Sequence, residues 1–92
     1  MAISVYFHPQ SFTKAQYDEV MKQLEAAGAG TPSGRTHHSC FGSDGSLMVY
    51  DVWDSKGAFD EFGAVLMPIL QTLGVDPGTP DVIVMPAHNV VQ

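Results

Sequence analysis

The most constraining feature of the sequence is an Asp44-Gly45 pair between two runs of β-forming residues, 36–42 and 46–53. An Asp-Gly pair in this setting is a strong signal of a β-hairpin. A helical pattern lies on each side of the hairpin, and a further β-forming run lies beyond each helical pattern. The order β-α-β-β-α-β predicts an α+β, ferredoxin-like fold. Its four-stranded antiparallel sheet has strand order 4-1-3-2 and two helices on one face.

The N-terminal half carries clear element boundaries. Residues 3–8 are β-branched and aromatic, and Pro9 ends this predicted first strand. Thr13 and Gln16 have the spacing of a capping box, which predicts the start of the first helix. Gly28 is a natural residue to follow that helix, because glycine readily adopts the left-handed conformation found there.

The C-terminal half also carries signals that mark the boundaries of its elements. Asp54 or Ser55 is expected to cap the second helix, whose apolar residues keep a spacing of three or four up to Gly74. Pro68 lies inside this pattern and predicts a kink, because proline removes a helical hydrogen bond. The last strand is predicted over residues 81–91. Together these elements account for residues 1–92 as one domain.

Both faces of the predicted sheet carry apolar side chains. In the third strand one parity holds Leu47, Val49 and Trp53, and the other holds Met48, Tyr50 and Val52. The two helices can cover only one of these faces, and the other face must also be shielded from water. We therefore expect a homodimer that pairs the sheet faces opposite the helices across a twofold axis. A ligand or an unrelated partner on that face is the alternative.

Residues 51–62 read Asp-Val-Trp-Asp-Ser-Lys-Gly-Ala-Phe-Asp-Glu-Phe. With the element order and the sheet that is apolar on both faces, this segment resembles the dimeric α+β barrel superfamily, and within it the antibiotic-biosynthesis-monooxygenase-like group. Members of that group often carry a Trp-acid-Ser step into the second helix, followed by a Phe-rich face. The resemblance implies that two sheets pair into a dimeric α+β barrel. It is weak for activity, because one fold supports many functions.

The composition excludes several classes of function. Ten acidic residues face four basic ones, giving a net charge of −6, and no Lys/Arg cluster is present. Such a chain would repel nucleic acid and anionic membranes, so we expect neither partner. The single cysteine, Cys40, rules out an internal disulfide and fits a reducing compartment. No apolar stretch is long enough for a signal peptide or a membrane span, so we expect a cytoplasmic protein.

The histidines are the main candidates for chemistry. A two-residue turn at Asp44-Gly45 would set His38 opposite Asp51, whereas a three-residue loop would set it opposite Tyr50. A carboxylate beside an imidazole orients the ring and raises its basicity, which suits a general base. We therefore predict His38 as the catalytic base and Asp51 as its orienting partner. A purely structural hydrogen-bonded pair is the alternative interpretation.

An apolar pocket is expected between the sheet and the helices, because His38 and Trp53 share a strand parity with apolar residues between them. We predict that this pocket binds a small aromatic or polycyclic molecule. Its predicted lining residues are Trp53, Tyr50, Phe62, Val49 and Leu66, although the parity of Tyr50 points to the dimer face. Arg35, the only arginine, is either a solvated loop residue or a group that steers an anionic or enol substrate.

No cofactor or metal is predicted. His8 and His88 are expected to lie at the same edge of the sheet, but no third ligand accompanies them. Haem held by one histidine is the alternative left open. The resemblance implies a cofactor-independent monooxygenase, or an isomerase or cyclase that begins by removing a proton. The alternatives are a non-catalytic dimeric module that binds a ligand or partner, and a haem-binding or haem-degrading protein.

Overall fold

The computed structural model describes residues 2–75, 83–89 and 91. Within these ranges the chain forms six elements in the predicted order: β1 (Ile3–Phe7), α1 (Lys14–Ala26), β2 (Arg35–Phe41), β3 (Met48–Trp53), α2 (Lys56–Thr72) and β4 (Ile83–Pro86). Residues 81, 82 and 90 of the predicted last strand lie outside the described residues, and just beyond β4, Ala87 N donates to Ala2 O at 2.8 Å. No helix in the described part of the chain is long and apolar enough to cross a membrane.

The four strands form one antiparallel sheet in the order β2-β3-β1-β4. This is the predicted order 4-1-3-2 read from the other edge, so the predicted topology is confirmed. β1 and β3 occupy the centre, and β2 and β4 form the two edges. The sheet of the single chain is therefore open and does not close into a barrel on its own.

The hairpin between β2 and β3 has the register expected for a two-residue turn at Asp44-Gly45. Ser46 N donates to Ser43 O at 2.8 Å across this turn, and Gly45 has a φ of 85°. His38 consequently pairs with Asp51 and not with Tyr50. Of the two alternatives that the sequence allows, the structure contains the one that places a carboxylate opposite the imidazole.

The predicted capping box fixes the start of α1. Gln16 N donates to Thr13 Oγ1 at 3.1 Å, and Thr13 N donates to Gln16 Oε1 at 2.9 Å. Gly28 follows the helix with a φ of 76°, as predicted for a residue beyond a helix end. Because local signals define both ends of α1, they also determine which residues the helix contains.

Ser55, rather than Asp54, caps α2 through its side chain. Its Oγ accepts a hydrogen bond from Ala58 N at 3.1 Å. The helix continues through Pro68 as far as Thr72, whose hydroxyl donates to the Pro68 carbonyl at 2.9 Å. The helix therefore continues past the proline, and this continuation is what the sequence pattern predicted.

One face of the sheet packs against both helices. The inward residues of β1 and β3 share a buried cluster with α1 and α2 side chains; its members include Ile3, Val5, Phe7, Trp53, Val20, Leu24, Phe62 and Leu70. The opposite parity places Tyr6 and Tyr50 side by side on the outer face, where the Tyr50 hydroxyl is hydrogen-bonded to Ser4 Oγ at 3.1 Å. The outer face is therefore aromatic but also carries hydroxyl groups.

His8 and His88 do not lie at the same end of the sheet, so that expectation was wrong. β1 and β4 run antiparallel, and Ile3 at the start of β1 pairs with Pro86 at the end of β4. His8 follows the end of β1, whereas His88 follows the end of β4. In an antiparallel pair the end of one strand meets the start of the other, which separates these two histidines.

Candidate functional site

A cleft lies between the inner face of the sheet and the two helices. Its cavity volume is about 50 Å³, and with its open mouth it contains about 480 Å³ of space free of atoms. The walls are almost entirely apolar and are lined by Phe7, Pro9, Phe12, Tyr17, Val20, Met21, Leu24, Arg35, His38, Val49, Asp51, Phe62, Leu66 and Leu70. A ring-sized ligand would have to displace side chains as it entered.

His38 lies between two hydrogen-bonding partners in this cleft. Its Nδ1 is 2.5 Å from Asp51 Oδ1, and its Nε2 is 2.7 Å from the Tyr17 hydroxyl. A carboxylate can only accept, so these partners assign the hydrogen of the neutral ring to Nδ1. Nε2 then accepts the hydrogen of the Tyr17 hydroxyl. We call this series Tyr17–His38–Asp51 the relay.

Each member of the relay comes from a different element. The hairpin register sets His38 of β2 opposite Asp51 of β3, whose other neighbour in the sheet is Val5 of β1. Asp51 is thus held in the middle of the sheet, where it is only 3% exposed. Tyr17 stands in the first turn of α1, four residues after the Thr13 cap. Its ring lies nearly parallel to that of His38, at an interplanar angle of 7°.

The surroundings of the relay keep the Tyr17 hydroxyl protonated. Burial raises the pKa of Tyr17 above its usual value, and the nearby Cys40, Asp51 and Asp18 act in the same direction. The positive charge of Arg35 acts in the opposite direction. A tyrosine is protonated at neutral pH even at its usual pKa of 10.0, and burial strengthens this preference, so the phenol is available as a donor to His38.

Cys40 has a different character. Burial is the main cause that raises the pKa of its thiol, with a smaller contribution from Asp18. A thiolate is the nucleophilic form of cysteine, and this environment disfavours it. Cys40 is therefore better suited to packing than to nucleophilic catalysis.

Three of the five predicted lining residues, Val49, Phe62 and Leu66, contact the cleft. Val49 lies next to the relay on the inner face of β3, while Phe62 and Leu66 are one turn apart on α2. The two predicted catalytic residues, His38 and Asp51, also line the cleft. Parity and helical spacing were sufficient to predict this group because each residue lies in a regular element.

Trp53 and Tyr50 do not line the cleft. Trp53 has no exposed surface and packs against Phe59 and Phe62, with ring centroids 5.7 and 5.1 Å away. Its indole N–H has no hydrogen-bond partner within the described residues. Tyr50 points to the outer face of the sheet, as its parity indicated. These two predicted contacts therefore lie outside the cleft, one behind its wall and the other across the sheet.

Tyr17 is the functional candidate that the sequence reading missed. In the sequence Tyr17 precedes Val20, Met21 and Leu24 at helical spacing, and nothing in that pattern predicts a functional role for it. The available signal was its hydroxyl, because a buried phenol usually needs a hydrogen-bond partner. Only the packing of α1 over β2 identifies His38 as that partner.

Within the described ranges, no group of three or more His, Cys, Asp or Glu residues could hold a metal ion. Both ring nitrogens of His38 are hydrogen-bonded, so haem ligation by this residue would require one of these bonds to break.

No model of a known protein family matches the sequence, and no curated protein matches it. Solved structures do match. SnoaB, a cofactor-independent oxygenase from Streptomyces nogalater, has a TM-score of 0.65 and 18% identity, covering 98% of this chain and 95% of that chain. Rv0793 from Mycobacterium tuberculosis has a TM-score of 0.61 and 15% identity, covering 99% and 97%.

A proposed antibiotic biosynthesis monooxygenase from Deinococcus radiodurans has a TM-score of 0.56 and 16% identity, covering 100% of this chain and 97% of that chain. Identities this low establish a common fold and not a common activity. The alignments extend over nearly the whole of every chain. The chain therefore has the ferredoxin-like fold of these proteins, the fold that its resemblance to the antibiotic-biosynthesis-monooxygenase-like group implied.

Proposed function

We propose that the protein binds an aromatic small molecule in the cleft and removes a proton from it through the relay. The observation that carries this proposal is the unbroken hydrogen-bonded series Tyr17–His38–Asp51 inside an otherwise apolar cleft. An apolar cleft with a few converging polar groups is the usual form of a small-molecule site.

The proton moves in two linked steps. A lone pair of the Tyr17 oxygen accepts a proton from an acidic C–H or O–H group of the ligand, while the phenolic proton passes to His38 Nε2. The ligand becomes an anion, Tyr17 is neutral again and His38 becomes an imidazolium. The Asp51 carboxylate stabilises this imidazolium through Nδ1, as a carboxylate does in other acid–base arrangements.

This scheme modifies the role first predicted for His38. Its Nε2 is already bonded to Tyr17, so His38 receives the ligand's proton through the tyrosine hydroxyl. The raised pKa of Tyr17 supports this route, because burial disfavours a free tyrosinate and so favours moving the phenolic proton to His38 as the ligand's proton arrives. Asp51 retains its predicted role as the orienting partner.

The anion has two outcomes. Reprotonation at another atom gives an isomerisation, or permits a cyclisation. Reaction of an activated CH₂ group with dioxygen gives a ketone and water, with one oxygen atom in each product. The second outcome is supported by the fold shared with SnoaB, a cofactor-independent oxygenase. Both begin with the same proton removal.

We also propose that the protein acts as a homodimer through the sheet face opposite the helices. Support comes from the tyrosines on that face and from two apolar side chains of the edge strands, Phe41 and Met85, which are 44% and 57% exposed. An apolar face left in water is unfavourable, and a second copy of the same face would cover it.

The proton transfer is tested by hydrogen exchange. The α-protons of 2-tetralone and 2-indanone are followed by NMR in D₂O with the wild-type protein, Tyr17→Phe and His38→Gln. We expect the wild-type protein to accelerate exchange and each variant to lose about two to four orders of magnitude of that acceleration, the usual contribution of a positioned acid–base group. His88→Gln, an exposed histidine outside the cleft, is the control and should retain the full rate.

Equal rates for the wild-type protein and Tyr17→Phe would contradict the relay. Binding of both ketones in the cleft without any exchange would favour the non-catalytic binding module instead. Ligand-induced chemical shift changes at Val49 and Phe62 report whether the ketones enter the cleft.

A further inference from the structure

We propose that Arg35 makes the cleft selective for aromatic anions, compounds whose ring system carries an ionised oxygen. This inference names a substrate class for the proposed proton transfer and rests on that function. The group recognised is a carboxylate, phenolate or enolate oxygen, which would lie against the guanidinium while the ring occupies the apolar part of the cleft.

A bulge in β2 brings Arg35 to the face of the relay. In an unbroken strand, residues 35 and 38 would point to opposite faces, because side chains alternate. The register shifts between Arg35 and His37, so that Arg35 pairs with Trp53 while His38 pairs with Asp51. Trp53 and Asp51 share the inner face of β3, so Arg35 and His38 share it too. Bulges commonly re-aim side chains beside functional sites.

Arg35 forms no ion pair with a carboxylate among the described residues. Within the described residues, Lys56 and Asp60 form an ion pair and Asp51 is hydrogen-bonded to the His38 ring, and Arg35 takes part in neither contact. Among the residues that line the cleft, Arg35 and Asp51 are the two whose side chains usually carry a charge. The Asp51 carboxyl group is hydrogen-bonded to His38. An anion entering the cleft would therefore meet the positive charge of Arg35, which has no ion-pair partner in the described part of the chain.

The guanidinium is held in place but keeps donors for a ligand. Its central carbon lies 5.8 Å from the centre of the Phe62 ring, within the range of a cation–π contact. Nη2 donates to the Gly30 carbonyl at 3.4 Å. A guanidinium has five N–H donors in a planar fork, so several are left for the oxygens of a ligand.

Arg35 also acts on the relay from this position. Its charge opposes the effect of burial on the pKa of Tyr17, so the guanidinium is within electrostatic reach of the Tyr17 hydroxyl. An anion formed on the ligand when Tyr17 accepts its proton would lie in the same cleft as this guanidinium. The same residue would thus bind an acidic ligand and stabilise the anion made from a neutral one.

The proposal is tested with a pair of ligands of equal shape. Binding of 2-naphthoate and 2-naphthamide is measured by NMR titration on the wild-type protein, Arg35→Gln and Lys22→Gln. We expect the wild-type protein to bind the carboxylate about tenfold more tightly than the amide, a preference equivalent to about 1.4 kcal/mol. Arg35→Gln should remove the preference and leave the affinity for the amide within about twofold.

Lys22→Gln is the matched control, because it removes one positive charge from an exposed position of α1. It should keep the tenfold preference. Equal binding of the two ligands by the wild-type protein, or an undiminished preference in Arg35→Gln, would overturn the proposal. If Arg35→Gln does not fold, Arg35→Lys should reduce the preference at least about threefold, since it lacks the planar fork. An unchanged preference in that variant would also overturn it.

The same titrations on His38→Gln separate this inference from the proposed reaction. The carboxylate preference should persist in that variant, because the relay is not needed to bind an anion. An Arg35-dependent preference without hydrogen exchange in the ketones would refute the reaction and keep the anion site. Hydrogen exchange that depends on Tyr17, without any preference for the carboxylate, would support the reaction and refute the anion site.

Discussion

At the scale of single residues, the hydrogen bonds of the relay allow three polar side chains to be buried in an apolar cleft. Burying a hydroxyl, an imidazole and a carboxylate is costly unless each finds a hydrogen-bond partner. Tyr17 donates to His38, and His38 donates to Asp51, so the three residues satisfy one another. The same burial that makes pairing necessary also keeps Tyr17 in its protonated form.

This protonation has a consequence for alkaline stability. The pKa of Tyr17 is raised above 10.0 in the folded chain, chiefly by burial. The folded state therefore holds the phenolic proton more tightly than the unfolded state, and this stability is fully present below pH 10.0. We expect the free energy of unfolding to fall as the pH rises from about 10 through the folded pKa. Urea unfolding of the wild-type protein and Tyr17→Phe across this range measures the effect.

The fall should be smaller in Tyr17→Phe, which has no phenol at this position to titrate. Tyrosinate absorbance provides a direct check, because the component missing from the variant belongs to Tyr17. If that component titrates at or below pH 10.0, the assignment of the protonated phenol to a desolvated site is incorrect.

At the scale of elements, the junction where β2 begins and β3 ends holds both the bulge and the start of α2. Gly34 lies immediately before β2, with a φ of 91°, and its carbonyl accepts from Asp54 N at 2.7 Å. A Cβ at this position would be 2.7 Å from the Ala58 Cβ of α2. The close approach of the strand and helix therefore requires a residue without a side chain. This packing holds Arg35, the next residue, at the edge of the cleft.

A pair of glycine substitutions tests the junction. Gly34→Ala would place a side chain on a left-handed backbone and bring its Cβ against Ala58. Gly28→Ala would also place a side chain on a left-handed backbone, with a φ of 76°, but no atom lies within 4 Å of the added Cβ. We expect Gly28→Ala to cost about 1 kcal/mol of folding stability from the backbone alone. Gly34→Ala should cost more, by about 1 to 3 kcal/mol, as in other overpacked sites. Chemical denaturation of both variants measures the difference, and equal losses would refute the steric argument.

At the scale of the whole molecule, the helices shield one face of the sheet from water and leave the other face uncovered. Both helices pack on the inner face, where Val5 and Trp53 have no exposed surface. The outer face presents Tyr6 and Tyr50 side by side at the centre of an open sheet. We have proposed that a second copy covers this face. The cleft lies on the other side of the sheet, so dimerisation and ligand binding would use separate surfaces.

The proposed dimer is tested by placing a charge at the centre of the outer face. Tyr6→Lys should dissociate the dimer or weaken it by at least about tenfold, because the interface would bury an unpaired ammonium group. Val65→Lys, at an exposed position of α2, should leave it unchanged. Sedimentation equilibrium measures both. A wild-type protein that remains a folded monomer at micromolar concentration would contradict the proposal.

Local sequence signals determined most of the fold. The Asp44-Gly45 turn, the Thr13–Gln16 capping box and Gly28 each act within a few residues, so the order and approximate bounds of the elements could be predicted from them. The turn also allowed the His38–Asp51 pair as one of two registers. Only the strand pairing of the folded sheet selected between these registers, because the sequence allowed a loop of either two or three residues.

Tertiary structure decided the composition of the site. Tyr17 joined the relay because α1 packs over β2, and Arg35 joined the cleft because a bulge reverses its parity. Trp53 was placed behind the cleft wall because aromatic side chains of α2 cover it. These outcomes depend on contacts between residues far apart in the chain, and a pattern confined to one element carries no information about them. The sequence therefore determined the elements and their order, and packing determined which side chains share the cleft.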